Sequence, residues 1–99
     1  MLNINKTAEG TKLVYALEGR LDTVTAPELE QSLGNSLEGV TELEMNFENL
    51  DYISSAGLRV VLSAQKRMNK QGGMTITHVN ETVQEVFEVT GFSDILTIV

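Results

Sequence analysis

The 99-residue chain has no cysteine and no tryptophan, one proline, one histidine and half as many bases as acids. Without cysteine there is no disulfide framework, no thiolate zinc site and no catalytic thiol. A lone histidine argues against a His-rich metal site and against a Ser/His catalytic pair. The formal charge of −7 argues against nucleic acid, whose phosphates demand a basic surface. No apolar run approaches the roughly 18–20 residues of a membrane span, and Met1-Leu2-Asn3-Ile4-Asn5-Lys6 does not begin a signal peptide. The length accommodates one domain, residues 1–99, in which nearly every large apolar side chain must enter the core. The expectation is a small, acidic, soluble, cytoplasmic protein with no metal, cofactor, nucleic acid or membrane insertion.

The scarce bases are not spread evenly. Residues 1–51 carry a net −7 and residues 81–99 a net −4, whereas residues 52–80 hold four bases (Arg59, Lys66, Arg67, Lys70) and no acid. Such a stretch is either the solvated face of one helix or a face turned to a partner.

Hydrophobic periodicity orders the chain as ββαβαβαβ. Leu2 and Ile4 mark a first strand, and Leu13, Tyr15 and Leu17 a second, joined at Glu9-Gly10 as an antiparallel hairpin. Thr25 and Glu28 have the spacing of a capping box, with Val24 and Leu29 as its staple and Pro27 in the first turn. Ala26, Leu29, Leu33 and Leu37 continue as a helical stripe that Gly34 or Gly39 ends. Leu43, Met45 and Phe47 give a third strand. A helix follows Ser54-Ser55-Ala56-Gly57, with Leu58, Val61, Leu62 and Met68 inward, and Gly72-Gly73 stops it. Met74 and Ile76 form a fourth strand, Asn80 caps a helix carrying Val83, Val86 and Phe87, and Ile95–Val99 reads as a fifth strand. Right-handed crossovers then give an α/β fold. Its sheet is mixed and mostly parallel, with about five strands and the helices mainly on one face.

Chemistry is sparse. Asp22 and Asp51 have nothing to fix their separation as a catalytic pair, and His78 has no clustered second ligand. There is no phosphate-binding glycine loop. What remains is the helix start at Ser54-Ser55-Ala56-Gly57. One serine can serve as an ordinary N-cap. Yet the first turn lacks the Asp or Glu that often settles there, and Gly57 lets a backbone or a phosphate approach. Such a start can hold an anion, and a phosphorylated serine would find donors waiting.

Tyr52-Ile53-Ser54-Ser55-Ala56-Gly57-Leu58 resembles the signature loop of STAS domains, the modules of anti-sigma factor antagonists and of sulfate-transporter tails. The resemblance extends to Glu18-Gly19-Arg20-Leu21-Asp22, to the helix opening Thr25-Ala26-Pro27-Glu28-Leu29, to Gly72 and to Thr90-Gly91-Phe92. It implies a free-standing antagonist with no catalysis of its own. Its unphosphorylated form would bind an anti-sigma factor that is also a serine kinase, releasing a sigma factor. By motif position the phosphorylated residue is Ser55, and Asp22 matches a family acid beside it. The implied docking residues are Asp22, Thr23, Ser54, Ser55, Ala56, Gly57, Leu58 and Arg59. A serine phosphatase is a further implied partner, and the state is a monomer or weak dimer. Ser54 stands where many members have Asp, and Ala56 where many have Ser or Thr. These departures favour an alternative, a non-phosphorylated interaction subunit of a transporter or signalling complex.

Overall fold

The computed structural model describes residues 2–99. Strands β1 (Leu2–Glu9) and β2 (Lys12–Leu21) form the expected antiparallel hairpin, with Glu9 paired to Lys12 and Leu2 to Gly19. Gly10 sits in the turn at φ 63°, a conformation that costs glycine little. Strands β3 (Glu42–Ile53) and β4 (Gly73–Thr77) add in parallel, in the order β1-β2-β3-β4.

One sheet face is built from Leu13, Tyr15, Leu17, Leu43, Met45, Phe47, Met74 and Ile76, all buried. Alternate residues such as Val14, Glu44, Asn46 and Thr75 remain partly open to solvent. That alternation puts the helices on one side. Helix α1 (Ala26–Ser36) buries Ala26, Leu29 and Leu33, and Tyr15 Oη meets Ser32 Oγ at 2.8 Å beneath it. Helix α2 (Ser55–Gln71) buries Leu58, Val60, Val61, Ala64 and Met68. Helix α3 (Glu81–Thr90) inserts Val83 and Phe87, and the Phe87 ring lies 6.3 Å from that of Phe47.

Helix α1 continues past Gly34 to Ser36, held by the burial of Leu33 and Leu37. Gly72 ends α2 because the backbone of Thr41 leaves no room for a Cβ there, while Gly73 N–H donates to Thr41 O at 3.0 Å.

Two expectations are corrected. The sheet has four strands, and Ile95–Val99 is not a fifth. A 3-10 turn at Phe92–Asp94 precedes it, and only Ile98 bridges Ile76 in parallel, through Ile76 N–H to Thr97 O and Val99 N–H to Ile76 O. Burial of Leu96 holds that segment by packing rather than by a ladder. The capping box at Thr25 is also absent. Thr25 lies at φ −92°, ψ −19° without a side-chain cap bond, and Val24 is 80 % exposed and staples nothing. Its hydroxyl has turned back to Arg20 O at 2.8 Å.

Candidate functional site

The site lies where β2 and β3 end together. Residues Leu21 and Ile53 are register partners, and Ser54 N–H donates to Leu21 O at 2.9 Å, so the β2–α1 and β3–α2 loops emerge side by side. Ligand sites in parallel α/β sheets favour the carboxyl ends of strands.

Two bulges aim this end. Phe47 and Glu48 together oppose Leu17, and Asp51 is an extra residue between the pairs Gly19–Leu50 and Arg20–Tyr52. Burial along β3 accordingly changes from every second residue (Leu43, Met45, Phe47) to every third (Leu50, Ile53). A bulge bends its strand and increases local twist. Here the pair keeps Leu50 and Ile53 in the core while the chain turns into α2.

Ser54 is the N-cap of α2, extended at φ −97°, ψ 175°, and its Oγ accepts the Gly57 N–H at 3.3 Å. Leu58 N–H donates to Ser54 O at 2.9 Å. Ser55 is the first helical residue and is exposed, and no acid stands in the first turn. The positive end of the helix dipole is thus free of carboxylate at the residue whose hydroxyl reaches solvent.

Gly57 serves a different close approach from that of a phosphate. It is buried, and a Cβ there would lie 2.7 Å from Leu21 Cγ and 3.0 Å from Ile53 Cγ1. Gly57 lets α2 press onto the ends of both strands, and buried Leu58 locks it. These two expected docking residues therefore position the loop from below. Thr23, Ser55 and Arg59 are exposed, and Asp22, Ser54 and Ala56 are half-buried. The structure gathers these six at one end of the molecule's helical layer.

Asp22 organises the neighbouring loop. Its Oδ1 accepts from Val24 N–H at 3.0 Å and Thr25 N–H at 3.1 Å, and Asp22 N–H donates to Thr25 Oγ1 at 2.9 Å. The Thr25 N–H foremost, then its hydroxyl, the Val24 N–H and the Arg20 charge, hold this carboxyl below its ordinary 3.8 against a partial desolvation. Asp22 is ionised at neutral pH, next to the acid-free start of α2.

Local sequence did not reveal how Arg20 is used. Its guanidinium lies 4.4 Å from the centre of the Tyr52 ring, its cross-strand partner, and Nε is 3.8 Å from Asp22 Oδ2. This stacked pair stiffens the flank of the loops. Only strand register brings residues 20 and 52 together. A shallow groove between α1 and α2, lined by Thr23, Ala26, Pro27, Glu30, Ala56, Arg59 and Val60, opens at the start of α2. Among the described residues no group of three or more His, Asp or Glu could hold a metal, and no helix is long and apolar enough to cross a membrane.

The STAS domain family model matches residues 3–99. A candidate anti-sigma factor antagonist of Bordetella bronchiseptica, BtrV, is 38 % identical over 85 residues, 84 % of this chain and 73 % of that protein. The anti-sigma-B factor antagonist of Staphylococcus aureus is 31 % identical over 97 residues, 96 % of this chain and 90 % of that one. The Bacillus cell fate determinant SpoIIAA, solved in its phosphorylated form, shares the fold at a TM-score of 0.75 and 20 % identity. That match covers all of this chain and 91 % of SpoIIAA. A match over almost every residue, a mixed sheet with its helices on one face, and a serine at the open start of α2 agree on one assignment: the chain belongs to the STAS domain family.

Proposed function

We propose that this protein is a cytoplasmic anti-sigma factor antagonist, one STAS domain over residues 1–99, switched by phosphorylation of Ser55. The observation that carries the reading is the exposed Ser55 at the first position of α2, in a turn without acid. The names of the two relatives described above, both anti-sigma factor antagonists, support it. They do not favour the transporter-subunit alternative.

In the unphosphorylated state the partner, an anti-sigma factor with serine kinase activity, docks over Asp22, Thr23, Ser54, Ser55, Ala56 and Arg59. Its sigma factor is then free. The kinase transfers the γ-phosphoryl group of ATP to Ser55 Oγ; the hydroxyl proton leaves, and ADP is the other product. Phosphate adds about −1.5 to −2 charges at a point where the helix dipole tolerates them, so the fold is kept. The docked partner, however, meets a hydrated dianion beside ionised Asp22. Each 1.4 kcal/mol of lost contact lowers affinity about tenfold, so this one group is enough to separate the pair. A serine phosphatase resets the switch. The protein itself performs no catalysis and uses no cofactor, and it works as a monomer or weak dimer.

The test is incubation with the anti-sigma factor kinases of the source bacterium and ATP, followed by mass-spectrometric mapping. Phosphate on Ser55, together with weakened kinase binding by Ser55→Asp, is the expected result. An unmodified Ser55 with binding indifferent to Ser55→Asp would overturn the switch.

A further inference from the structure

Three features go beyond the switch: an apolar, acid-rimmed face on α3, the open face of the sheet, and the outer side of α2, of which the switch uses only Ser55 and Arg59. The last carries the most. Residues Ser55, Arg59, Ser63, Lys66 and Lys70 are all exposed, and steps of four, four, three and four residues keep positions 55, 59, 63, 66 and 70 on one helix face. They form a ridge that begins at Ser55 and runs roughly 22 Å at 1.5 Å per residue.

This ridge is cationic in a protein of formal charge −7; Lys70, in the last turn of α2, meets the negative end of the helix dipole, but the ridge charges are paired with no acid of the fold. Among the described residues, ion pairs join Lys12 to Glu44 and Arg20 to Asp22, and none involves Arg59, Lys66 or Lys70. Glu30 of α1 lines the groove beside Arg59 and, further along, beside Arg67, yet pairs with neither within 4 Å. Arg67 leans instead on Gly34 O at 3.5 Å. Lys66 and Lys70 are four residues apart on the same face, an arrangement that disfavours the helix.

We propose that the outer ridge of α2, through Arg59, Lys66 and Lys70, is an electrostatic docking strip that receives an acidic surface of the partner protein engaging Ser55. The partner's identity rests on the proposed switch; the chemistry of the strip does not. Complementarity of sign selects an acidic protein face. A long polyanion such as DNA or an anionic membrane would meet the repulsion of the remaining surface, where the acids of residues 1–51 and 81–99 lie. The distal half of the strip is well beyond the screening length of about 8 Å at physiological salt from a phosphate at Ser55. The strip therefore accelerates encounter in both phosphorylation states, while Ser55 decides how long the complex lasts.

The experiment uses the full chain, isotopically labelled, as wild type and as the double variant Lys66→Glu with Lys70→Glu. Titration with a polyglutamate peptide of about 20 residues is expected to shift the amide resonances around Arg59, Lys66 and Lys70. The shifts should fade as salt rises and vanish in the double variant. Shifts centred elsewhere, shifts that survive the charge reversal, or tighter binding of duplex DNA or phosphatidylglycerol vesicles than of the peptide would overturn the strip. With the kinase that modifies Ser55, the double variant should slow association about tenfold at low salt. It should leave unchanged the ratio of affinities between wild-type Ser55 and Ser55→Asp. An unchanged association rate would also overturn it. Failure of every kinase to bind the wild type removes the proposed switch, while the peptide titration still judges the strip.

Discussion

Helices α2 and α3 start with the same device and use it differently. Asn80 accepts the Val83 N–H at 2.9 Å, and its own amide donates to Leu50 O at 2.6 Å. Glu81 follows it in the first turn. That start is closed: its cap is tied to β3 and its dipole is met by a carboxylate. Ser54 accepts the Gly57 N–H at 3.3 Å, but its hydroxyl has no second tie to a strand, and Ser55 follows where α3 has an acid. The residue after the cap thus separates a helix start that anchors from one that presents a hydroxyl to a partner.

The comparison can be broken most severely at Gly57. Gly57→Ala places a methyl 2.7 Å from Leu21 Cγ and 3.0 Å from Leu21 O. It should cost about 2–3 kcal/mol in chemical denaturation and displace the start of α2, lowering phosphate uptake at Ser55. Next comes Asn80→Ala, which removes a cap and a tie to β3 and should cost about 2 kcal/mol. Ser54→Ala removes only the longer cap bond and should cost about 1 kcal/mol. Equal losses at Asn80 and Ser54 would mean that the two starts are held alike. Ser55→Glu gives α2 the pattern of α3 and should stabilise the fold by about 0.5 kcal/mol through the dipole while weakening the kinase complex.

The subtlest test is acid titration. Because the Asp22 carboxyl is held below 3.8 by the Thr25 N–H above all, it binds protons less readily folded than unfolded. Its contribution to stability is complete above pH 3.8 and is lost as pH falls through the lower folded value. The difference in unfolding midpoint between wild type and Asp22→Asn should be constant from neutral pH to 3.8, then shrink. A difference that stays flat in acid would place the role of Asp22 outside its charge.

Much of this was legible because it is local. The alternation of Leu13, Tyr15 and Leu17, the stripe of Leu29 and Leu33, and the Asn80 cap each depend on neighbours within a few residues. The failures also have local causes. Leu50 and Ile53 do not read as strand because the bulges break the two-residue period, and only the pairing with β2 shows that the strand continues. Ile95–Val99 has strand-like residues, yet Phe92–Asp94 turns and buried Leu96 leaves one bridge in place of a ladder. Thr25 has the sequence of a cap, but Asp22 and Arg20 O claim its groups first. Gly57 signals close approach without saying whether its neighbour is a ligand or, as here, Leu21.

Sequence alone therefore determined the class of fold, the order of its elements up to the last segment, the position of Ser55 and the patch of scarce bases. Those properties are written in composition and in spacings along one chain. Tertiary structure alone decided how Asp22 is held by the Val24 and Thr25 amides, that Arg20 stacks on Tyr52, and that Gly57 and Leu58 face inward. It also decided which bases of residues 59–70 remain unpaired. Each of these depends on strand register and on which side of a helix meets the sheet, and both are fixed only when the whole core closes.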